Sequence, residues 1–124
     1  MIEHLTKETF KEKIFDYEKV NESNDIEFKN ENPSIIVFSA TSWCQPCKTL
    51  APVMEELSNE YESLVDIYDV DVDTEQELSG AFGIKSVPSI LFIPTDGTQP
   101  QMAQGALPKT QLIESIKTVF KVEK

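Results

Sequence analysis

Ser34-Ile35-Ile36-Val37-Phe38-Ser39-Ala40-Thr41-Ser42-Trp43-Cys44-Gln45-Pro46-Cys47-Lys48 is the stretch on which the reading of this chain turns. Its first six residues are a continuous apolar run, the pattern of a strand buried on both faces. Ala40 to Trp43 make a turn. From Cys44 to about Glu62 the apolar positions Leu50, Val53, Met54, Leu57 and Tyr61 recur at helical spacing. The chain's only 2 cysteines therefore stand at a helix start. Unpaired N–H groups there favour an anion and lower a thiol pKa. The i, i+3 spacing places both sulfurs on one face of the first turn, close enough to bond. One thiol can attack a substrate disulfide and the other can resolve the mixed disulfide that results. The motif proposes dithiol–disulfide exchange.

Three blander readings stand beside it. A structural zinc site usually needs four ligands, and this chain offers two cysteines and the distant His4. A structural disulfide over so short a loop removes little chain entropy. Two inert core thiols would not call for a proline between them at a helix start.

The bulk properties narrow the field. A chain of 124 residues suits one compact domain, and 40% hydrophobic content is ordinary for a soluble protein. Net charge is −11, and all 11 basic residues are lysines. Without arginine forks or basic clusters, no nucleic-acid partner and no anionic membrane surface is expected. The carboxylates from Glu55 to Glu77, uninterrupted by lysine, read as a solvated face. No apolar run approaches the roughly 18 residues of a membrane span. Met1-Ile2-Glu3-His4-Leu5 has no basic segment followed by an apolar one, so a cytoplasmic protein is expected. A mature exported form carrying an added Met would read the same way.

Working outward from the central strand, Thr6 caps a first helix through Phe10 and Ile14-Phe15, after an extended Ile2–Leu5. Residues 16–32 are polar and mixed, with a short extended piece expected at Ile26–Phe28. Val65 to Val72 alternates and is β-branched, so it reads as a strand. Glu75 to Phe82 is a short helix closed by Gly83. Ser89–Ile93 and Gln101–Gln104 are strands around a turn at Asp96-Gly97, and Pro108 begins a last helix. Helical crossovers predict parallel pairs and the tight turn an antiparallel one. The fold class is α/β: a mixed sheet of four to five strands with helices on both faces.

In this arrangement the chain resembles the thioredoxin family over nearly its whole length. Trp43-Cys44-x-Pro46-Cys47-Lys48 matches the family's active-site motif, and Ala51-Pro52 its kinked second helix. Phe82-Gly83-Ile84-Lys85-Ser86-Val87-Pro88 matches the loop with the cis-proline, and Gly105-Ala106-Leu107 the end of the last strand. Residues 16–32 look like a polar insertion. The resemblance implies that Cys44 is the exposed nucleophile and Cys47 the buried resolving thiol. It implies a cis bond before Pro88, and a Val87 backbone that pairs with a substrate chain as an added strand. Trp43, Ile84, Val87, Pro88 and Ala106 would form an apolar rim around the sulfur.

Two departures from the family pattern stand out. The dipeptide between the cysteines is Gln45-Pro46 where Gly-Pro is usual; with Pro88, these residues are expected to tune the redox balance. The acid that the family buries under the resolving cysteine is also missing, replaced by Val37 or Phe38. Asp69 stands where a lysine is usual, and we expect it to accept the resolving thiol's proton from the neighbouring strand. Against this, Asp69, Asp71 and Asp73 alternate on one face, which would turn all three to solvent. His4 reads as a strand-end surface residue.

The implied function is reduction of disulfide-containing protein substrates by a monomer that needs no cofactor. A thioredoxin-reductase-like donor would return the electrons. The rivals are an exported, pathway-specific thiol–disulfide oxidoreductase and a binding module in which the disulfide is incidental.

Overall fold

The computed structural model describes residues 2–17, 28–40, 42–96 and 98–122. Its strands are β1 (Glu3–His4), β2 (Ser34–Ser39), β3 (Asp66–Asp71), β4 (Ser89–Ile93) and β5 (Gln101–Gln104). They form one sheet in the order β1-β3-β2-β4-β5. The helices among the described residues are α1 (Lys7–Lys13), α2 (Gln45–Glu60), α3 (Gln76–Ala81) and α4 (Lys109–Ser115). The last runs on as a π-helical turn at Ile116–Phe120. The expected order of elements is the observed one.

One expectation about direction is corrected. β3 runs parallel to both β1 and β2, as helical crossovers demand, but β4 lies antiparallel to β2 although α3 precedes it. The reason is packing. Phe82, just after α3, packs on Phe38 near the end of β2, with ring centroids 5.6 Å apart. This contact holds the chain at the end of the sheet where β3 leaves it. β4 starts at Ser89, opposite Phe38, and runs back. The Cys44 end of β2, the end of β3 and the start of β4 thus meet at one edge.

β2 is the centre and every residue of it is buried. Alternation divides its side chains between two cores. Ile35 and Val37 face Leu50, Met54, Leu57, Leu112 and Ile116 from α2, α4 and the π turn. Ile36 and Phe38 face Phe10, Ile14 and Leu78 on the α1 and α3 side. A large apolar side chain removed fully from water contributes about 1.5–3 kcal/mol, so these two layers hold the sheet between its helices.

Local signals end the helices where the sequence places them. Thr6 and Thr9 make a reciprocal capping box, with Thr9 N–H donating to Thr6 Oγ1 at 3.2 Å and Thr6 N–H to Thr9 Oγ1 at 2.7 Å. Gly83 follows α3 at φ +64°, a conformation that strains residues with a side chain. Pro108 stands one position earlier than expected. It caps α4, its carbonyl accepting from the N–H groups of Gln111 and Leu112 at 3.0 Å each. Residues 26 and 27 of the extended piece expected at Ile26–Phe28 lie outside the described residues, as does Gly97 of the expected turn.

Candidate active site

The turn out of β2 is short because Ala40 holds it: the N–H groups of Trp43 and Cys44 both donate to its carbonyl, at 3.1 and 2.8 Å. This leaves Cys44 as the N-cap of α2, with extended backbone (φ −94°, ψ 106°) and its sulfur accepting from Cys47 N–H at 3.3 Å. A sulfur in the N-cap position does what a serine or aspartate oxygen usually does there, satisfying one unpaired donor. As a thiolate it gains more, because the helix end and that N–H both stabilise negative charge. No acidic residue occupies the first turn to oppose it. Pro46 follows, where a missing N–H is free of cost. Cys44 and Cys47 are joined as a disulfide with Cα atoms 5.3 Å apart.

The exposed nucleophile implied by the resemblance needs correction in this oxidised state. Cys44 is 4% exposed and Cys47 only 2%. Both sulfurs are packed with Ala40, Val72 and Val87, because a capping side chain folds back over its own helix end. In-line attack at Cys44 needs one open direction, along the S–S axis, rather than a solvated side chain.

The Val87–Pro88 bond is cis. The Val87 carbonyl oxygen lies 3.7 Å from Cys44 Sγ. Pro88 itself is buried, below the surface rather than on the rim where it was expected. Its carbonyl accepts from Gly105 N–H at 2.8 Å, tying the proline loop to the turn after β5 that carries the exposed Ala106. Ile84 is half-buried and packs toward the α1 and α3 core with Phe82. Trp43, at 63% exposed, supplies the open apolar face. Its indole N–H donates to Asp73 at 2.8 Å, which fixes the ring beside the cysteines. Gln45 and Pro46 are exposed on the helix tip.

Below Cys47, strand register settles which residue replaces the family's buried acid. Val37, not Phe38, faces α2, and Val37 is paired with Asp69. These two side chains line a cavity of about 160 Å³ together with Cys47, His4, Met54 and Glu55. That is room for water. The alternation of acids on β3 is real, but its consequence differs from the one expected. Asp71 is exposed, whereas Asp69 sits deeper in the sheet, under α2, and its side chain is 23% exposed. Burial pushes the Asp69 carboxyl above the ordinary carboxylate range, partly offset by a hydrogen bond from His4, with Asp71 and Glu55 adding to the rise.

Sequence reasoning missed two partners, His4 and Asp73. His4 Nδ1 is bonded to Asp69 Oδ1 because β1 lies beside β3 with His4 opposite Asp69. No local pattern announces that pairing. Asp73 carried a signal only as part of an acidic run. Among the described residues, no three His, Cys, Asp or Glu side chains are grouped to hold a metal ion. No described helix is long and apolar enough to cross a membrane.

A vicinal cysteine pair on a helix N-terminus, facing a cis-proline loop in an α/β sheet, defines a dithiol–disulfide exchange protein. The thioredoxin family model matches residues 1–118. The chain is 45% identical over 116 residues to a thioredoxin of Borreliella burgdorferi, covering 94% of this chain and 95% of that one. It is 40% identical over 101 residues to a thioredoxin of Haemophilus influenzae, covering 82% and 87%. A crystal structure of chloroplastic thioredoxin z superposes with a TM-score of 0.74 at 28% identity, covering 95% of this chain and 93% of that one. The chain belongs to the thioredoxin family and is a thiol–disulfide oxidoreductase of that type.

Proposed function

We propose that Cys44 attacks the disulfides of protein substrates and that Cys47 resolves the product, with Asp69 as proton acceptor. The Cys44 thiolate bonds to one substrate sulfur and expels the other, which takes a proton from solvent. Cys47 then gives its proton to Asp69 and attacks Cys44 Sγ. The Cys44–Cys47 bond forms, the bond to substrate breaks, and the second substrate sulfur leaves as a thiolate that takes a proton from solvent. Two electrons have passed from the dithiol to the substrate, and the protons have exchanged through solvent. A thioredoxin-reductase-like donor returns them.

The observation that carries this reading is the position of Cys44 Sγ, capped by Cys47 N–H at 3.3 Å and 3.7 Å from the Val87 carbonyl. A substrate chain laid along Val87 as an added strand would present its disulfide there. Trp43 and Ala106 would supply apolar contact on either side, with Ile84 at the margin and Pro88 supporting the loop from below. Gln45 and Pro46 would set the balance between dithiol and disulfide. Substrate chosen mainly by backbone pairing and a flat apolar rim fits a protein that serves many targets. We place it in the cytoplasm as a monomer, bound to neither nucleic acid nor membrane, in keeping with its charge of −11.

Turnover of insulin disulfides with dithiothreitol as donor tests the assignment. Cys44→Ser should abolish turnover, and reduced Cys47→Ser mixed with substrate without dithiothreitol should stall as a mixed disulfide detectable by mass. A Cys44→Ser protein that still captures partners as well as the parent would favour the binding-module reading instead.

A further inference from the structure

Exposure rises stepwise along one line of side chains at the active site. Cys47 is 2% exposed, the Asp69 side chain 23%, and the His4 side chain 82%. Cys47, Asp69 and His4 share one cavity wall, and His4 Nδ1 is bonded to Asp69 Oδ1. The pairing is enforced by the backbone. Strand β1 runs parallel to β3 with His4 opposite Asp69, and Leu5 N–H donates to the Asp69 carbonyl at 2.8 Å. Building on the assignment of Asp69 above, we infer that His4 is a positioning and proton-relay residue that carries the proton of Cys47 from Asp69 to solvent.

The chemistry of the two groups suits the sequence of steps. An acceptor deep enough to reach a buried thiol is poorly placed to discharge to water. Imidazole can accept a proton at one ring nitrogen and release one from the other, so it links a carboxyl group to solvent without moving. In the resolving step the Cys47 S–H bond breaks and its proton goes to Asp69. Transfer to His4 Nδ1 on the tautomer whose Nδ1 is bare, followed by release from Nε2, returns the carboxylate and leaves an Nδ1–H that donates to it. Exchange of the exposed ring's protons with water then restores the first tautomer for the next turnover. No oxidant or reductant enters beyond the mixed disulfide itself. The other titratable groups facing Asp69 are acids: Glu55 from α2 and Asp71 from its own strand. Strand β2 contributes Val37 and Ser39, which do not titrate. His4 is therefore the group on this cavity that can hold positive charge when Asp69 gives up its proton.

Single-turnover reaction of the reduced protein with dithiobis(nitrobenzoate) separates the steps, because attack by Cys44 releases one coloured thiolate and resolution by Cys47 the second. Four proteins are compared across pH: the parent, Asp69→Asn, His4→Asn and His4→Ala. Asparagine keeps a donor near the Nδ1 position but does not titrate. In every variant the rate of the second release is read relative to that of the first. Release of the second should slow by roughly 100-fold in Asp69→Asn, the low end of acid–base catalysis, and about 10-fold in both His4 variants. The rate in His4→Ala should recover when free imidazole is added. A parent that releases no second thiolate would defeat the exchange mechanism, and an unaltered Asp69→Asn would defeat the role of Asp69. Slowing in Asp69→Asn but not in the His4 variants would overturn the relay alone. So would a slow His4→Ala that asparagine restores and imidazole does not, since His4 would then be a prop for β1.

Discussion

Placing an acid on the central strand, by Val37→Asp, would put two carboxylates into one cavity and measure how closely Val37 and Asp69 share it. The two residues are register partners across β2 and β3, and neighbouring strands lie about 4.8 Å apart. Two unit charges about 5 Å apart in an effective dielectric of about 20 repel by roughly 3 kcal/mol. Val37 is 5% exposed, so losing its burial costs about a further 1.5 kcal/mol. Together these approach the lower end of the stability of a small domain, about 5 kcal/mol. The double variant Val37→Asp/Asp69→Asn keeps the lost packing and the buried new acid but removes the repulsion. Urea denaturation of the four proteins in neutral buffer gives the coupling by double-mutant cycle. We expect about 3 kcal/mol of recovery in the double variant. In mildly acidic buffer the coupling should shrink, because one carboxyl of the pair is then protonated and the repulsion vanishes. Additivity within about 0.5 kcal/mol in neutral buffer would refute the shared cavity, and with it the route from Cys47 to Asp69.

Asp69→Asn by itself should alter how stability depends on pH. Since burial raises the Asp69 carboxyl, the folded protein holds its proton to higher pH than the unfolded chain, and stability falls as pH rises through that window. The variant should lose this fall and melt higher than the parent in neutral buffer, as read by circular dichroism. Tyr68 is pushed up to about 12, by burial first and then by Asp66 and Glu3. Its phenolate absorbance should appear only in strong alkali, and Tyr68→Phe should remove that late step from the titration. Thr6→Ala breaks one half of the capping box and should cost about 1 kcal/mol in urea denaturation, with the first step of thiol exchange unaltered.

Much of this molecule is written locally. The apolar run Ser34–Ser39, the helical spacing from Leu50 to Tyr61 and the β-branched alternation of β3 each report their own element. Their bounds differ from the structure by a residue or two at most. Strand direction was harder. The antiparallel course of β4 depends on Phe82 packing against Phe38 after α3, a contact between residues distant in sequence rather than a local pattern. The site divides the same way. Cys44, Cys47 and Pro46 follow from a helix start, whereas the burial of Asp69 depends on how deep in the sheet β3 sets each acid of an alternating run. His4 was invisible because its partner is 65 residues away, and neither residue's neighbours hint at the contact. Pro88 was reached only through the family resemblance, which set it on the rim; its burial beneath the rim goes with the bond between its carbonyl and Gly105 N–H.

The place of β1 in the sheet has a consequence for how the site comes into being. The two cysteines stand 3 positions apart in sequence, so one helical turn suffices to bring them together, on a timescale near that of helix formation itself. Strand β1 reaches β3 only after a much longer loop has closed, and contacts so distant in sequence form late and slowly. If Asp69 and His4 drain the proton of Cys47 as proposed, a chain still folding would own a dithiol before it owned those groups. Its sulfurs could be captured in a mixed disulfide that they resolve poorly. On that proposal, docking of a strand two residues long, Glu3–His4, would complete the site, and the shortest element of the sheet would be the one that finishes it.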